Sequence, residues 1–409
     1  MNVANTSEPV VSNADDAASI VLDQAMWAAE QGTFPVGGCI IENATGRVVQ
    51  AMHNNVLKPL ADSDKTFTYD PTAHGERQLV YWYYANKDKL GLPGPSELTV
   101  VTSLDPCAMC TGTLLTAGFN VGVVAIDDFA GINFNDVPPA LRGLAELKFG
   151  YYACGEKGQD PGTYVRKYVG GPDVVFRETA VSAQRLVGCS DIFEASLDKV
   201  RTTSSESGLP PSGLSDPAKL PDNSPVKTRF RSVYDGAFRS KTPKSRLPGA
   251  QFYELLTLVK DSAPEAKNAV ALLDPFGNVI LCLADRFDLS PVHTAFMNVT
   301  QSYAITRHGL MDDKDTRQSA TEYLTHPKYG TFVFLYAPNP KDSTTIMTLG
   351  AYGSTMEGPV PQIFPANFQY YNPPLEGTVE EFRSVIMGLP PFYTQLAQIS
   401  AMKVAFSIE

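Results

Sequence analysis

Thr72-Ala73-His74-Gly75-Glu76 and Asp105-Pro106-Cys107-Ala108-Met109-Cys110 are the two stretches on which the fold turns. The first places a histidine and a glutamate at the start of a predicted helix, His74 to Lys87, with Leu79, Val80 and Tyr83 at inward spacing. The second places two cysteines at the start of another, Ala108 to Ala117. Alone, each is a common accident: a C-x-x-C pair serves equally as a redox pair or as half of a zinc ribbon. Together, 33 positions apart from His74 to Cys107, they predict a three-ligand zinc site. One imidazole and two thiolates leave the fourth tetrahedral position open, the catalytic arrangement, whereas a structural site is closed by a fourth protein ligand. Cys107 and Cys110 are expected in the first helical turn, where the helix dipole favours thiolate over thiol. Pro106 suits the position just before it, where a missing N–H costs little. Glu76 is near the metal without being needed as a ligand, and a carboxylate there can carry a proton from water to substrate.

Outward from these stretches the pattern alternates. A helix is predicted from Asp15 to Glu30, strands at Gly37 to Glu42 and Val48 to Met52, a polar loop from Val56 to Pro71, and strands at Leu98 to Thr102 and Val121 to Ile126. A further helix is expected over 181–199. Strands alternating with helices indicate an α/β layered fold. The second half repeats the plan: a helix at Gln251 to Asp261, strands at Ala269 to Leu273 and Val279 to Leu283, a helix at His293 to Arg307, a strand at Thr331 to Tyr336 and a helix start at Ser343. Laying Gly46 on Gly277 sets Pro71-Thr72-Ala73-His74 against Pro291-Val292-His293 after a one-residue slip, and Leu104-Asp105-Pro106 against Pro338-Asn339-Pro340. The reading is an ancient duplication. In that alignment Ala295 holds the glutamate position and Lys341 and Thr344 the cysteine positions, so the second half is expected to bind no zinc.

The pattern His74-Gly75-Glu76 followed by Pro106-Cys107-Ala108-Met109-Cys110 resembles the zinc-dependent cytidine deaminase superfamily. Pro35-Val36-Gly37-Gly38-Cys39-Ile40-Ile41 and Cys110-Thr111-Gly112 are similar to fungal-type cytosine deaminase. His53-Asn54-Asn55-Val56 and Asp70 to His74 are similar to bacterial guanine deaminase and the tRNA adenosine deaminases. The resemblance implies a three-layer α-β-α fold with a mixed central sheet, present here in two copies. It implies one Zn2+ per chain on His74, Cys107 and Cys110, with Glu76 as the catalytic proton shuttle. It implies substrate contacts from the Asn54 amide, the Gly75 backbone N–H and the Phe34 ring. The expected domains are a catalytic zinc deaminase domain over 1–200, a Pro/Ser-rich basic linker over 201–248, and a degenerate deaminase-like domain over 249–409. The two copies would pack as an intramolecular pseudo-dimer, with a further homo-dimer as an open option.

Composition narrows the chemistry. The chain has 409 residues, with 33 Lys and Arg against 44 Asp and Glu, a net charge of −11. That balance argues against a broad nucleic-acid footprint, which needs clustered positive charge. No apolar run reaches membrane-spanning length, and Met1 to Asp15 lacks a basic start and an apolar stretch, so a cytoplasmic protein is expected. Six cysteines are too few for a disulfide framework, and Cys39, Cys154, Cys189 and Cys282 are read as unreactive thiols. The expected function is hydrolytic deamination of a small aminated heterocycle, a free base of cytosine or guanine type. A nucleoside, nucleotide or tRNA adenosine deaminase is the alternative, and a non-enzymatic zinc scaffold the alternative of another class. The polar loop Val56 to Tyr69 is read as a lid or substrate selector, and the aromatics at Phe364 to Tyr371 and Phe392-Tyr393 as core.

Overall fold

Asn13 opens the first helix. Its side chain accepts the backbone N–H of Asp16, and α1 runs Ala14–Gln31 until Gly32, at φ 83°, turns the chain out. The buried face of α1 is made of small residues, Ala14, Ala17, Ala18, Ala25 and Ala28 among them, so the helix lies close on the strand that follows. Gly37 makes that approach possible: a Cβ there would come within 2.3 Å of Gln24 Cβ. The computed structural model describes residues 9–127, 130–131, 148–151, 153–154, 160–161, 180–205, 208–242, 248, 250–356, 367–390 and 401–403.

These residues form two compact units, 1–55 with 74–197, and 56–73 with 198–409. In the first unit, β1 (Gly37–Glu42), β2 (Val48–His53), α2 (Gly75–Leu90), β5 (Leu98–Leu104), α3 (Ala108–Ala117), β6 (Asn120–Ala125) and β7 (Phe149–Tyr151) follow α1. The strands make one mixed sheet in the order β2-β1-β5-β6-β7. β1 pairs antiparallel with β2 and β5, while β5, β6 and β7 run parallel. The alanine face of α1 packs over Cys39, Ile41, Val101 and Val124, together with Leu186 and Cys189 of α4 (Ala183–Ser205). Short strands β8 (Ala153–Cys154) and β9 (Asp160–Pro161) pair with each other.

The second unit repeats this sheet. β10 (Ala269–Leu273), β11 (Val279–Ala284), β12 (Thr331–Tyr336), β13 (Phe368–Asn372) and β14 (Ala401–Lys403) stand in the order β11-β10-β12-β13-β14, with the same sequence of antiparallel and parallel pairings. Its helices are α6 (Ala250–Asp261), α7 (Ala295–Asp312), α8 (Lys314–Tyr323), α9 (Ser343–Thr355) and α10 (Val379–Met387). Small devices recur as well. The register of the first hairpin shifts between Ile40 and Ile41 in one copy and between Leu272 and Leu273 in the other. Gly46 and Gly277 both take positive φ in the connecting turn. Asn120 binds the carbonyls of Ser96 and Leu98 through its amide, and Asn367 binds those of Lys328 and Gly330.

This register corrects the sequence alignment. Gly38 pairs with Thr102 and Val270 with Phe334, so Thr102 corresponds to Phe334, and Pro106 to Pro338 rather than Pro340. α2 begins at Gly75 and α7 at Ala295, so Pro71 to His74 lie on Pro291 to Thr294 without a slip. Thr294 therefore stands at the His74 position and Phe296 at the Glu76 position. The loop before α9 is longer than that before α3, so the capping residue is Asp342 where the first copy has Cys107, and Thr345 matches Cys110.

Two segments depart from their expected character. Residues 208–242, inside the expected linker, fold onto the second unit. α5 (Pro225–Val233) buries Phe230 against Phe238 and Tyr303, and the Lys227 ammonium donates to the carbonyls of Ala218 and Leu220. The segment's buried apolar side chains, Val226, Phe230, Ala237 and Phe238, are few in a Ser/Pro-rich stretch, which is why the sequence reads as a tether. The polar loop forms a hairpin of β3 (Leu57–Pro59) and β4 (Thr66–Thr68) that belongs to the second unit. Arg317 donates to the carbonyl of Ala61, Asp312 accepts the Ala61 N–H, and Gln301 donates to Asp70. The aromatics of β13 are core, as expected: Phe368, Tyr370 and Tyr371 are all buried. Phe364 and Phe392-Tyr393 lie outside the described residues. Among the described residues no helix is long and apolar enough to cross a membrane.

Candidate active site

Two helix N-termini converge in the first unit. His74 is the residue that caps α2, and Cys107 caps α3, with Cys110 in the first turn. Cys107 is thus one step outside the helix in which the sequence places it, with extended backbone that turns its side chain back toward His74. Both helices direct their positive ends at the thiols, which favours thiolate. The ligand atoms of His74, Cys107 and Cys110 all lie within 4.8 Å of one another, the sole such group of three among the described residues. Cys107 Sγ is 3.5 Å from His74 Nδ1. Two ligands at ordinary Zn–N and Zn–S lengths and a tetrahedral angle sit about 3.5 Å apart, so the pair has the spacing zinc requires.

Glu76 is the second residue of α2, within its first turn, and 2% exposed. Its Oε2 is 3.4 Å from Cys110 Sγ, and its Oε1 is 3.2 Å from Thr102 Oγ1. Burial pushes the Glu76 carboxyl above its ordinary value, partly offset by the nearby His74 charge. A hydrogen bond from Cys110 draws the Cys107 thiol well below the usual thiol range, while burial pushes Cys110 up. The trio and Glu76 thus form one cluster in which the three metal-binding atoms face one another and the carboxylate stands beside them.

Thr102 is a residue the sequence reading missed. Its hydroxyl is also 2.9 Å from the Leu104 carbonyl. A hydroxyl can accept from Glu76 while donating to that carbonyl, or turn and donate to the carboxylate. It therefore serves both protonation states of Glu76. The sequence gives little signal, since β5 carries three hydroxyl residues, Thr99, Thr102 and Ser103, and nothing in the string singles out Thr102.

Asn54 and Gly75 are brought together, but with each other. The Gly75 N–H donates to Asn54 Oδ1 at 2.6 Å, so the N–H expected to reach a substrate oxygen is already engaged. Because a backbone N–H needs an acceptor, this bond fixes the amide with Nδ2 as its outward donor. The Asn54 N–H in turn donates to the Val36 carbonyl at 3.0 Å. Phe34 is buried on the loop into β1, and Val36, whose carbonyl takes the Asn54 N–H, donates its own N–H to the Phe34 carbonyl at 2.8 Å. Cys39, Cys189 and Cys282 are buried, and desolvation pushes the thiols of Cys39 and Cys189 up to about 12. The Cys154 side chain lies outside the described residues.

Residues 12–126 match the cytidine and deoxycytidylate deaminase zinc-binding region, a span that contains Phe34, Asn54, His74, Glu76, Thr102, Cys107 and Cys110. Cytosine deaminase of Candida albicans is 30% identical over 102 residues, 24% of this chain and 57% of that enzyme, so the match covers little more than half of that relative's length. Among solved structures, guanine deaminase from Nitrosomonas europaea is 15% identical, covering 49% of this chain and 90% of the other at a TM-score of 0.27. A tRNA A34 deaminase is 22% identical, covering 28% and 75% at a TM-score of 0.22.

Proposed function

From a chain whose residues 12–126 carry the cytidine and deoxycytidylate deaminase zinc-binding region, we propose hydrolytic deamination of a free nucleobase or base-like heterocycle of the cytosine or guanine type. One observation carries the proposal: a buried carboxylate, Glu76, sits against a three-ligand zinc group without completing it. A structural zinc site has no use for a carboxylate in that place, and a hydrolytic one needs a base there.

His74, Cys107 and Cys110 would hold zinc, and the metal bound there would supply Lewis acidity that makes a water nucleophilic near neutral pH. The chain's own residues do the rest. Glu76 takes the proton released as water adds to the ring carbon bearing the amine. It passes that proton to the ring nitrogen, then takes the second proton from the added hydroxyl and hands it to the amine, so that the C–N bond breaks, ammonia leaves and the ring keeps the oxygen as a carbonyl. The raised affinity of Glu76 for a proton suits a group that must hold one between these transfers. Thr102 orients its carboxylate in both states. Asn54 Nδ2 donates to an acceptor on the heterocycle edge, with its Oδ1 held by Gly75, and Phe34 packs on the ring. A small substrate agrees with the net charge of −11 and with the sequence likeness to a cytosine deaminase.

The test is ammonia release by zinc-loaded protein from cytosine, guanine, adenine, their nucleosides and a tRNA. Cytosine or guanine is expected to give the highest kcat/KM. Preference for tRNA would move the substrate to nucleic acid, and silence across the whole panel would overturn the deaminase reading.

A further inference from the structure

The second unit holds a cavity of about 760 Å³ that the deaminase reading does not use. One wall is the β3–β4 hairpin, a second the α7–α8 pair, and a third the last turns of α4 with the turn at Gly208. Its charged lining is Lys65, Lys199, Arg307 and Arg317 against Asp64 alone. The whole chain has 33 cations to 44 acids, so five charged residues drawn at that ratio would include about two cations. Four cations arriving from four separate elements, the hairpin, α4, α7 and α8, make a local reversal of sign.

The four have different settings. Lys65 and Lys199 are exposed at the rim. Arg317 is fixed by bonds to the carbonyls of Ala61, Met311 and Asp312, which pin the hairpin turn to the helix pair without neutralising the charge. Arg307 is 3% exposed, its guanidinium 4.6 Å from the centre of the Phe67 ring. Gly208 gives it room, since a Cβ there would come within 2.5 Å of Arg307 Nη2. A buried guanidinium is expensive in a low-dielectric wall and gains most from an anion brought to it.

We propose that this cavity binds a phosphate-bearing small molecule of about nucleoside monophosphate size. Guanidinium forks and ammonium groups together match a compact, multiply charged oxyanion. The volume lies in the range of pockets that enclose a small organic ligand and exceeds what a bare phosphate fills. Leu209 and Met311 line the rest and offer apolar surface to the remainder of the ligand. The hairpin that builds the first wall begins at Leu57, three positions after Asn54, and the chain returns at His74. Occupancy is therefore placed to act on the two ends of the catalytic segment.

The test is calorimetric titration of the full-length, zinc-loaded protein with AMP, with adenosine as the uncharged control, at low salt. AMP should bind saturably and adenosine should not. The Lys65→Ala/Lys199→Ala double variant should weaken AMP by at least about ten-fold, while Lys89→Ala, on an exposed helix end of the first unit, leaves it unchanged. Because Lys65 and Lys199 are exposed, the double variant is expected to keep its zinc and its unfolding midpoint. Undiminished AMP binding in the double variant, or no saturable binding by wild type up to about 1 mM, overturns the proposal.

Discussion

Phe296 stacks on Phe334, ring centres 5.6 Å apart and planes 13° apart, at the two positions that Glu76 and Thr102 hold in the first copy. The acid–hydroxyl pair of one copy is an aromatic pair in the other. Phe296 also touches Phe332 at 4.8 Å, and Phe334 stacks on Phe368 at 4.3 Å. The corner that holds an acid and a hydroxyl in the first copy is aromatic core in the second. Phe296→Ala should destabilise the second unit by about 3–5 kcal/mol and leave zinc at one equivalent per chain. Urea unfolding and metal analysis read both. An unmoved midpoint would mean that the cluster relaxes around the lost ring.

Glu76→Gln keeps the side-chain volume and removes the base. It should retain zinc and lower kcat by about 10²–10⁴. Thr102→Val keeps the strand residue branched but removes the hydroxyl that serves both states of Glu76, and should lower kcat by about ten-fold. Its pH–rate profile should also shift on the limb set by Glu76. Normal turnover by the Gln variant would sink the assigned mechanism.

Asn54 holds the Gly75 N–H and, in the proposed function, meets the substrate, and substitution can separate the two. Asn54→Ala leaves the buried Gly75 N–H without its acceptor, which should cost about 1–3 kcal/mol and raise KM. Asn54→Asp keeps an acceptor for Gly75 but deletes the Nδ2 donor. Stability should return toward wild type while KM stays high. The second copy supplies the precedent: Asp285 holds the Ala295 N–H at 2.7 Å in the same way. Recovery of both stability and KM in the Asp variant would remove Asn54 from substrate recognition.

The zinc group and the repeated sheet were legible because they rest on local chemistry. Ligand types, their spacing from helix starts, and turn glycines at Gly46 and Gly277 are written in the chain. The alignment of the copies failed where it leaned on residue likeness. His293 drew the eye toward His74, but helix starts and strand pairing, which no short window contains, put Thr294 there. Thr102 was hidden because its role depends on a strand and a helix meeting across the sheet. Residues 208–242 were hidden because Phe230 finds its partners, Phe238 and Tyr303, only after folding.

Asp285 also makes stability depend on pH. Its Oδ1 accepts from Ala295, and its Oδ2 accepts from the N–H groups of Lys267 at 2.9 Å and Asn268 at 2.6 Å. Burial outweighs these bonds and raises its carboxyl from 3.8 to about 6. Between about pH 4 and pH 6 the folded chain therefore holds a proton that the unfolded chain has released. The stability this group contributes is fully present below that window and is lost as pH rises through it. A net move of that size, with the three N–H donors already opposing burial, corresponds to roughly 3 kcal/mol. Asp285→Asn cannot titrate, and Asp274, also raised to about 6, is common to both proteins and cancels in their difference. The stability of wild type relative to Asp285→Asn, from urea midpoints between pH 4 and pH 7, should fall as pH rises. A difference that stays flat would show that the three N–H donors, not burial, set the charge of Asp285.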